Sequence, residues 1–193
     1  MDGQDARLGE ADVRALVRLL GEVAGMREPV AARKRWLMEG LCELVEADAW
    51  VWVLTSFGAD PGREYAAVHL LHGGLTEADL GRYFQASYDE ANPLPEYAAL
   101  TSLVASGVAF TRRRPQLVPD ELWYGHKPLE RMRKALDLNE SVYAFYPVDG
   151  DLWSAVGFHR RWGRPAFTPR QARLVHIVFS ESGYLLDSTC PHP

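Results

Sequence analysis

The sequence predicts an α+β fold in which helices flank an antiparallel β-sheet. Two helical patterns come first, two strands and a helical segment follow, and a strand pair precedes the last helix. This order differs from the regular strand–helix alternation that produces a parallel sheet. The chain has 193 residues, without an internal repeat or a low-complexity linker, which suits one domain. We therefore expect a single domain over 1–193, with its core at about 8–186 and a tail at 187–193.

Two amphipathic helices are expected at the N-terminus. Over 8–25 the apolar residues recur at the helical period, with Gly25 and Pro29 ending the helix. A second helix is predicted over about 30–47, and its buried stripe is Leu37, Leu41, Leu44 and Val45. The predicted apolar stripe of the first helix is Val13, Leu16, Val17, Leu20 and Val23.

Two strands should follow these helices. Residues 49–56 form a continuous apolar run rich in strand formers, and alternation places Trp50, Trp52 and Leu54 on one face of that strand. The second strand is predicted over 63–71, and Gly73 and Gly74 end it.

A helical insert is expected between the two pairs of strands. Thr76 with Asp79 three residues later forms a capping box for a helix that reaches about residue 91. Shorter helices are predicted over 96–106 and 129–136, with a short strand at 107–111 between them.

The region 141–186 indicates strand, turn, strand, loop and helix in succession. Strands are predicted over 141–148 and 152–159, joined by a turn in which Gly150 accommodates a positive φ. Thr168 stands at the N-cap of the last helix, with Pro169 at its first position and Gln171 three residues after the cap.

The segment Gly157-Phe158-His159-Arg160-Arg161-Trp162-Gly163-Arg164-Pro165-Ala166-Phe167-Thr168-Pro169-Arg170 resembles the closing part of the GAF-like (GAF/PAS-like) domain of bacterial LuxR-family transcriptional regulators. The resemblance implies that the N- and C-terminal helices pack on one face of the sheet and the helical insert on the other. It also implies a sensory role linked to transcriptional regulation, and a homodimer. In that family a helix-turn-helix module follows, whereas only 187–193 remain here, so we expect no direct nucleic-acid binding by this chain.

Bulk properties agree with that expectation. The chain has 21 basic and 26 acidic side chains and a net charge of -5, which repels a polyanion at long range. We interpret three basic clusters as solvated surface: Arg112, Arg113 and Arg114; Lys127, Arg131, Arg133 and Lys134; and Arg160, Arg161 and Arg164.

The sequence has no signal-peptide pattern and no run of about 18 apolar residues. The protein is therefore expected to be cytoplasmic, with no membrane partner.

No catalytic or metal-binding motif is present in the sequence. Cys42 and Cys190 lack metal-ligand spacing and are expected to be reduced thiols, and no cofactor or metal is expected. Density of aromatic residues on the strands and the insert instead suggests the wall of a pocket for an amphipathic small molecule. An aromatic core without a ligand fits the same residues equally well. The expected pocket residues are Trp50, Trp52, Tyr65, His69, Tyr83, Tyr88, Tyr97, Trp123, Tyr143 and Phe145.

Three functions are therefore compatible with the sequence. The first is a non-enzymatic sensory domain that binds a small molecule and signals through its terminal helices. The alternatives are a dimerisation or interaction domain without a ligand, and an enzyme that uses His69 or His126. We also predict that Trp52 and Tyr143 face the same interior space. Homodimerisation is predicted from apolar residues in excess of one stripe on the first and last helices, namely Leu19, Leu20, Leu174 and Ile177.

Overall fold

The computed structural model describes residues 7–57, 65–87 and 95–181. The observed elements follow the predicted order, and most predicted boundaries agree with them within about three residues. The elements are α1 Glu10–Gly25, α2 Val30–Leu44, β1 Ala49–Phe57, β2 Tyr65–Gly73, α3 Glu77–Ser87, α4 Pro95–Val104, β3 Phe110–Arg113, α5 Arg114–Leu117, α6 Asp120–Gly125, α7 Lys127–Leu136, β4 Leu138–Asp149, β5 Leu152–Arg161 and α8 Pro169–Glu181. The predicted tail at 187–193 lies outside the described residues.

All five of these strands form one antiparallel sheet in the order β2-β1-β5-β4-β3. The strand pair predicted from the sequence, β4 and β5, lies towards the middle, and β1 pairs with β5. Trp52 lies opposite Val156 and Val156 opposite Ala144, so these three side chains share one face. That register determines which side chains meet on each face of the sheet.

One face of the sheet, here called the terminal-helix face, is covered by α1, α2 and α8. Trp50, Trp52, Val156 and Phe158 project from the sheet into the largest apolar cluster. Leu37 and Leu41 from α2, with apolar residues of α1 and α8, complete that cluster. Burial of this much apolar surface is the main term that favours the fold.

The opposite face, here called the insert face, is covered by α3, α4, α6 and α7. Val51 and Val53 pack against Leu80 of α3, and Tyr143 and Phe145 pack against Leu100 of α4. The predicted α+β architecture, with terminal helices on one face and the helical insert on the other, is confirmed.

Both predicted capping boxes are present. The backbone N–H of Asp79 donates to Thr76 Oγ1 at 3.1 Å, and the Thr76 N–H donates to the Asp79 carboxylate at 3.0 Å. At α8 the Gln171 N–H donates to Thr168 Oγ1 at 3.2 Å, and the Thr168 N–H donates to Gln171 Oε1 at 2.9 Å. Each box pairs helix N–H groups that the helix itself leaves without acceptors.

The buried stripe predicted for α1 is partly wrong. Val13 and Val17 are 48% and 65% exposed, whereas Leu19 is buried. Leu19 packs where Gly40 of α2 has no side chain, since a Cβ at position 40 would overlap Leu19. Asp12, on the same side of α1, pairs with Arg170 of α8. These two contacts determine which side of α1 faces the core. The spacing of the apolar residues in α1 gives no information about either contact.

The interpretation of the basic clusters as solvated surface is also wrong for three arginines, Arg114, Arg133 and Arg160, which are buried. Arg160 donates to the carbonyl oxygens of Val45 and Pro165, each at 2.8 Å. It therefore joins the end of α2 to the loop before α8, and acts as a structural hydrogen-bond donor to backbone carbonyls of both segments.

The other buried arginines lie under the insert. The Arg114 guanidinium donates to the buried carboxylate of Glu140, with Nη2 2.8 Å from Oε1. Arg133 lies against three aromatic rings, with its guanidinium carbon 4.8–5.1 Å from their centroids. These arginines contribute to packing of the insert.

Cys42 lies on α2, where its thiol donates to the carbonyl of Ala47 at 3.3 Å. Burial raises the pKa of this thiol to about 12, so it is protonated at neutral pH. Cys190 lies outside the described residues. None of the helices in the described ranges has the length and apolar character needed to cross a bilayer.

Candidate functional site

Two small adjoining cavities lie between the insert face and its helices. The larger has a volume of about 40 Å³ and the smaller about 10 Å³. Tyr83, Tyr143 and His159 line both cavities and stand between them. Further residues that line the larger cavity are Val51, Val53, Leu100, Phe145, Ala155 and Gly157.

The absence of a side chain at Gly157 makes room for His159 on the insert face. A Cβ at position 157 would lie 2.8 Å from His159 Nε2 and 3.3 Å from Tyr143 Cε1, which is too close for either group to stay in place. Pairing of Gly157 with Val51 and with Tyr143 on the neighbouring strands places this gap at the centre of the sheet. The cavity depends on that small residue.

His159 is the buried histidine of this site. Its Nδ1 lies 2.9 Å from Ser141 Oγ, and its Nε2 has no hydrogen-bond partner among the described residues. The rings of Tyr83 and Tyr143 approach its imidazole edge to face, at 5.7 and 5.8 Å. Burial lowers the pKa of His159 to about 4, so the imidazole is neutral at pH 7.

Glu96 of α4 brings a buried carboxyl group to the smaller cavity. Burial raises its pKa to about 7, although a hydrogen bond from Tyr143 and the charges of Arg133 and Arg114 act in the opposite direction. The Tyr143 hydroxyl donates to Oε1 at 3.4 Å, whereas Oε2 has no partner among the described residues. Near neutral pH this carboxyl can therefore either donate or accept a hydrogen bond.

Trp123 of α6 supplies a third polar atom to the smaller cavity. Its ring is buried, and its indole Nε1 has no hydrogen-bond acceptor among the described residues. The guanidinium groups of Arg114 and Arg133 lie over this ring, 5.4 and 5.1 Å from its centroid. These cations hold the indole in place.

Four of the predicted pocket residues line these cavities: Tyr83, Trp123, Tyr143 and Phe145. His69 is exposed on β2 and lines neither cavity. Tyr65 lies on β2 and Tyr97 on α4, but their side chains, like the whole of Tyr88, lie outside the described part of the structure.

The placement of Trp50 and Trp52 in the same pocket is wrong, because both lie on the terminal-helix face. The Trp52 indole donates to Ser154 Oγ at 2.6 Å, and its ring meets Phe179 of α8 edge to face at 5.4 Å. The prediction that Trp52 and Tyr143 face the same interior space therefore also fails. The reason is register: Tyr143 pairs with Gly157 and Gly157 with Val51, so Tyr143 shares the face of Val51 and not that of Trp52.

Sequence reasoning missed Glu96 and His159. His159 is not among the predicted pocket residues, although alternation within β5 places Gly157 and His159 on one face. Nothing local distinguishes Glu96 from an exposed glutamate in the first turn of a helix. Its burial follows from the packing of α4 on the sheet.

The histidines proposed for an enzyme are not part of this site. His69 is exposed, and His126 caps α7, where its Nδ1 accepts a hydrogen bond from the Leu129 N–H at 3.4 Å. Among the described residues, no group of three or more His, Cys, Asp or Glu side chains is placed to hold a metal ion.

No protein-family model matches the sequence, and no curated protein matches it. Solved structures do match the fold. Escherichia coli SdiA superposes with a TM-score of 0.59 at 15% identity, over 94% of this chain and 71% of SdiA. The ligand-binding domain (LBD) of VqsR from Pseudomonas aeruginosa gives a TM-score of 0.56 at 14% identity, over 93% of this chain and 95% of that domain. SdiA in complex with octanoyl-rac-glycerol gives 0.57 at 16% identity, over 93% of this chain and 69% of that one.

The sheet order, the two covered faces and these superpositions define a GAF-like α+β fold. More narrowly, the chain has the fold of E. coli SdiA and of the VqsR ligand-binding domain. This likeness of fold covers 93–94% of the chain.

Proposed function

We propose that this domain is a sensor that binds an uncharged, amphipathic small molecule between the insert face and the helical insert. The observation that carries the proposal is the meeting of three buried polar atoms without partners at two adjoining cavities. These atoms are Glu96 Oε2, Trp123 Nε1 and His159 Nε2.

A buried polar atom without a hydrogen bond costs about 1–3 kcal/mol, and native structures retain few of them. Three around one apolar space suggest that a bound molecule supplies their partners. Trp123 Nε1 is only a donor, so it requires an acceptor on the ligand. Glu96 and neutral His159 accept as well as donate, so they can bind a hydroxyl or amide group.

The apolar part of the ligand would lie against Val51, Val53, Leu100 and Ala155. The cavities hold about 40 and 10 Å³, whereas sites for drug-sized ligands measure about 300–1,000 Å³. Binding therefore requires α3 or α4 to move away from the sheet. Such a displacement would change the packing of the insert, and this change would be the sensory response.

The small cavity volume favours one alternative, an interaction domain whose core is filled by its own side chains. Native mass spectrometry of the purified full chain separates the two functions. A retained organic molecule supports the sensor. A ligand-free mass, together with no rise in melting temperature on addition of octanoyl-rac-glycerol as a probe, supports the interaction domain.

The substitution Ala155→Val tests whether the probe binds in the larger cavity. The two added carbon atoms enter the larger cavity, so we expect probe affinity to fall about tenfold or more while the fold is retained. The control is Ala98→Val on the exposed side of α4, which should leave affinity unchanged. Equal affinities for both variants would contradict a ligand site in this cavity.

The link to transcriptional regulation, the cytoplasmic location and homodimerisation stay predictions. Leu19 and Leu174, on which the dimer prediction partly relied, are buried in the chain's own core. Val13 and Val17 are the large apolar residues that remain exposed on α1.

A further inference from the structure

A separate groove of about 430 Å³ lies between the edge strand β3 and the first half of α8. Its volume falls within the range of about 300–1,000 Å³ typical of small-molecule sites. Phe110 of β3 lines this groove and stacks on Phe145, with ring centroids 5.1 Å apart. Phe145 in turn lines the larger cavity of the candidate site. This stacked pair separates the two spaces, so the groove is a distinct site.

The groove combines an apolar floor with a basic rim. Leu103, Phe110 and Ala172 supply apolar surface, and the remaining lining includes three arginines and a histidine. Among the residues that the structure describes, no acidic side chain lines the groove, although the chain as a whole has a net charge of -5. The basic residues are Arg112, Arg113, Arg173 and His176.

The arginines of this rim differ from neighbouring arginines, which form ion pairs with carboxylates. Arg114, next in sequence, pairs with Glu140, and Arg170, one turn before Arg173, pairs with Asp12. Within the described residues, Arg112, Arg113 and Arg173 have no carboxylate partner.

Arg112 and Arg113 are half-buried, and each guanidinium makes one hydrogen bond to a backbone carbonyl, at 2.9 and 3.3 Å. A guanidinium has five N–H donors, so most of this donor capacity is available to a bound anion. Burial of a cation is costly, and an accompanying counter-charge offsets part of that cost.

We propose that this groove binds an organic anion whose carboxylate pairs with the arginine rim and whose apolar body lies on Phe110, Leu103 and Ala172. A planar carboxylate matches the paired N–H groups of a guanidinium, which makes such contacts strong and directional. The bound molecule would contact both β3 and α8, which already meet through Thr111 Oγ1 and His176 Nδ1 at 3.2 Å.

The test uses the full chain and two probes of nearly the same shape, 2-naphthoate and uncharged 2-naphthamide, titrated in ¹H–¹⁵N correlation spectra. We expect naphthoate to shift the amide signals of Thr111, Ala172 and Arg173, to bind at least about tenfold more tightly than naphthamide, and to weaken as salt is raised. Arg112→Gln and Arg173→Gln should each reduce naphthoate affinity about tenfold. Arg18→Gln, an exposed arginine on α1, is the control and should have no effect.

Several results would overturn the proposal. Equal binding of the two probes, or unchanged affinity in both arginine variants, would show that the rim does not select an anion. Amide shifts confined to Gly157 and His159 would place the probe in the larger cavity of the candidate site. Concentration-dependent broadening of the β3 amides without any probe would indicate that a second copy of the chain occupies the groove. Arg173 is exposed on α8, so its variant remains informative even if Arg112→Gln fails to fold.

Discussion

Substitution of Glu96 by Gln should stabilise the domain at alkaline pH and have much less effect at acidic pH. Burial raises the pKa of this carboxyl from 4.5 to about 7, so the folded state holds its proton more tightly than the unfolded state does. Stability is therefore fullest below pH 4.5, declines as pH rises towards 7, and stays level above that. Gln cannot ionise, so the variant lacks this decline.

The size of the effect follows from the two pKa values. A tenfold change in proton affinity corresponds to about 1.4 kcal/mol, so the span from 4.5 to about 7 costs roughly 3 kcal/mol in full. Between pH 5 and pH 8 most of that cost develops. We expect the free energy of unfolding of Glu96→Gln, relative to the wild type, to rise by about 2–3 kcal/mol over this interval.

His159 acts in the opposite direction but does not interfere with this comparison. Its pKa is lowered from 6.5 to about 4 by burial, so its neutral form stabilises the fold above pH 6.5 and this stability is lost as pH falls towards 4. The wild type and the Glu96 variant both contain His159, so its contribution cancels in their difference.

The assay is urea unfolding of both proteins at pH 5 and pH 8, followed by tryptophan fluorescence. Glu121→Gln, on the exposed surface of α6, is the control and should change stability equally at the two pH values. If the difference between Glu96→Gln and the wild type changes by less than about 0.5 kcal/mol between the two pH values, Glu96 is solvated or paired, and the proposed ligand site loses one of its three polar groups.

Three further substitutions test the packing that positions the site. Trp52→Ala should cost about 3–5 kcal/mol of unfolding free energy, because it leaves a cavity on the terminal-helix face; a urea midpoint close to that of the wild type would contradict its burial. Arg160→Met should cost about 3 kcal/mol or more, since it removes the four hydrogen bonds by which the buried guanidinium joins α2 to the loop before α8, whereas the exposed neighbour Arg164 replaced by Met should cost less than about 1 kcal/mol. Thr168→Ala removes the cap of α8 and should lower stability by about 1 kcal/mol in thermal unfolding, while Thr168→Ser should retain most of it.

The elements of this fold could be predicted because their signals are local. The two capping boxes depend on residues three positions apart, and both predicted helices begin where expected. The apolar run of 49–56 and the turn at Gly150 gave the strands, because strand propensity and turn geometry act over a few residues.

Assignment of side chains to faces of the sheet could be predicted only within one strand. Alternation separated Trp52 from Val51 correctly, yet the relation of β1 to β4 depends on two inter-strand registers that pass through β5. A shift of one residue in either register exchanges the faces. For that reason the predicted pocket wrongly combines Trp50 and Trp52 with Tyr143, which lies on the other face, whereas Tyr83, Trp123, Tyr143 and Phe145 do line the cavities.

The sequence by itself therefore determined the order and type of the elements, the caps of α3 and α8, and the presence of apolar and aromatic residues sufficient for two packed faces. Tertiary structure alone decided that Glu96 and His159 are buried at one cavity, and that Arg114 and Arg160 are interior. The physical reason is that burial of a charged or polar group depends on partners far away in the chain, such as Tyr143 for Glu96 and Val45 for Arg160. Local preferences, which act over a few residues, contain no information on such partners.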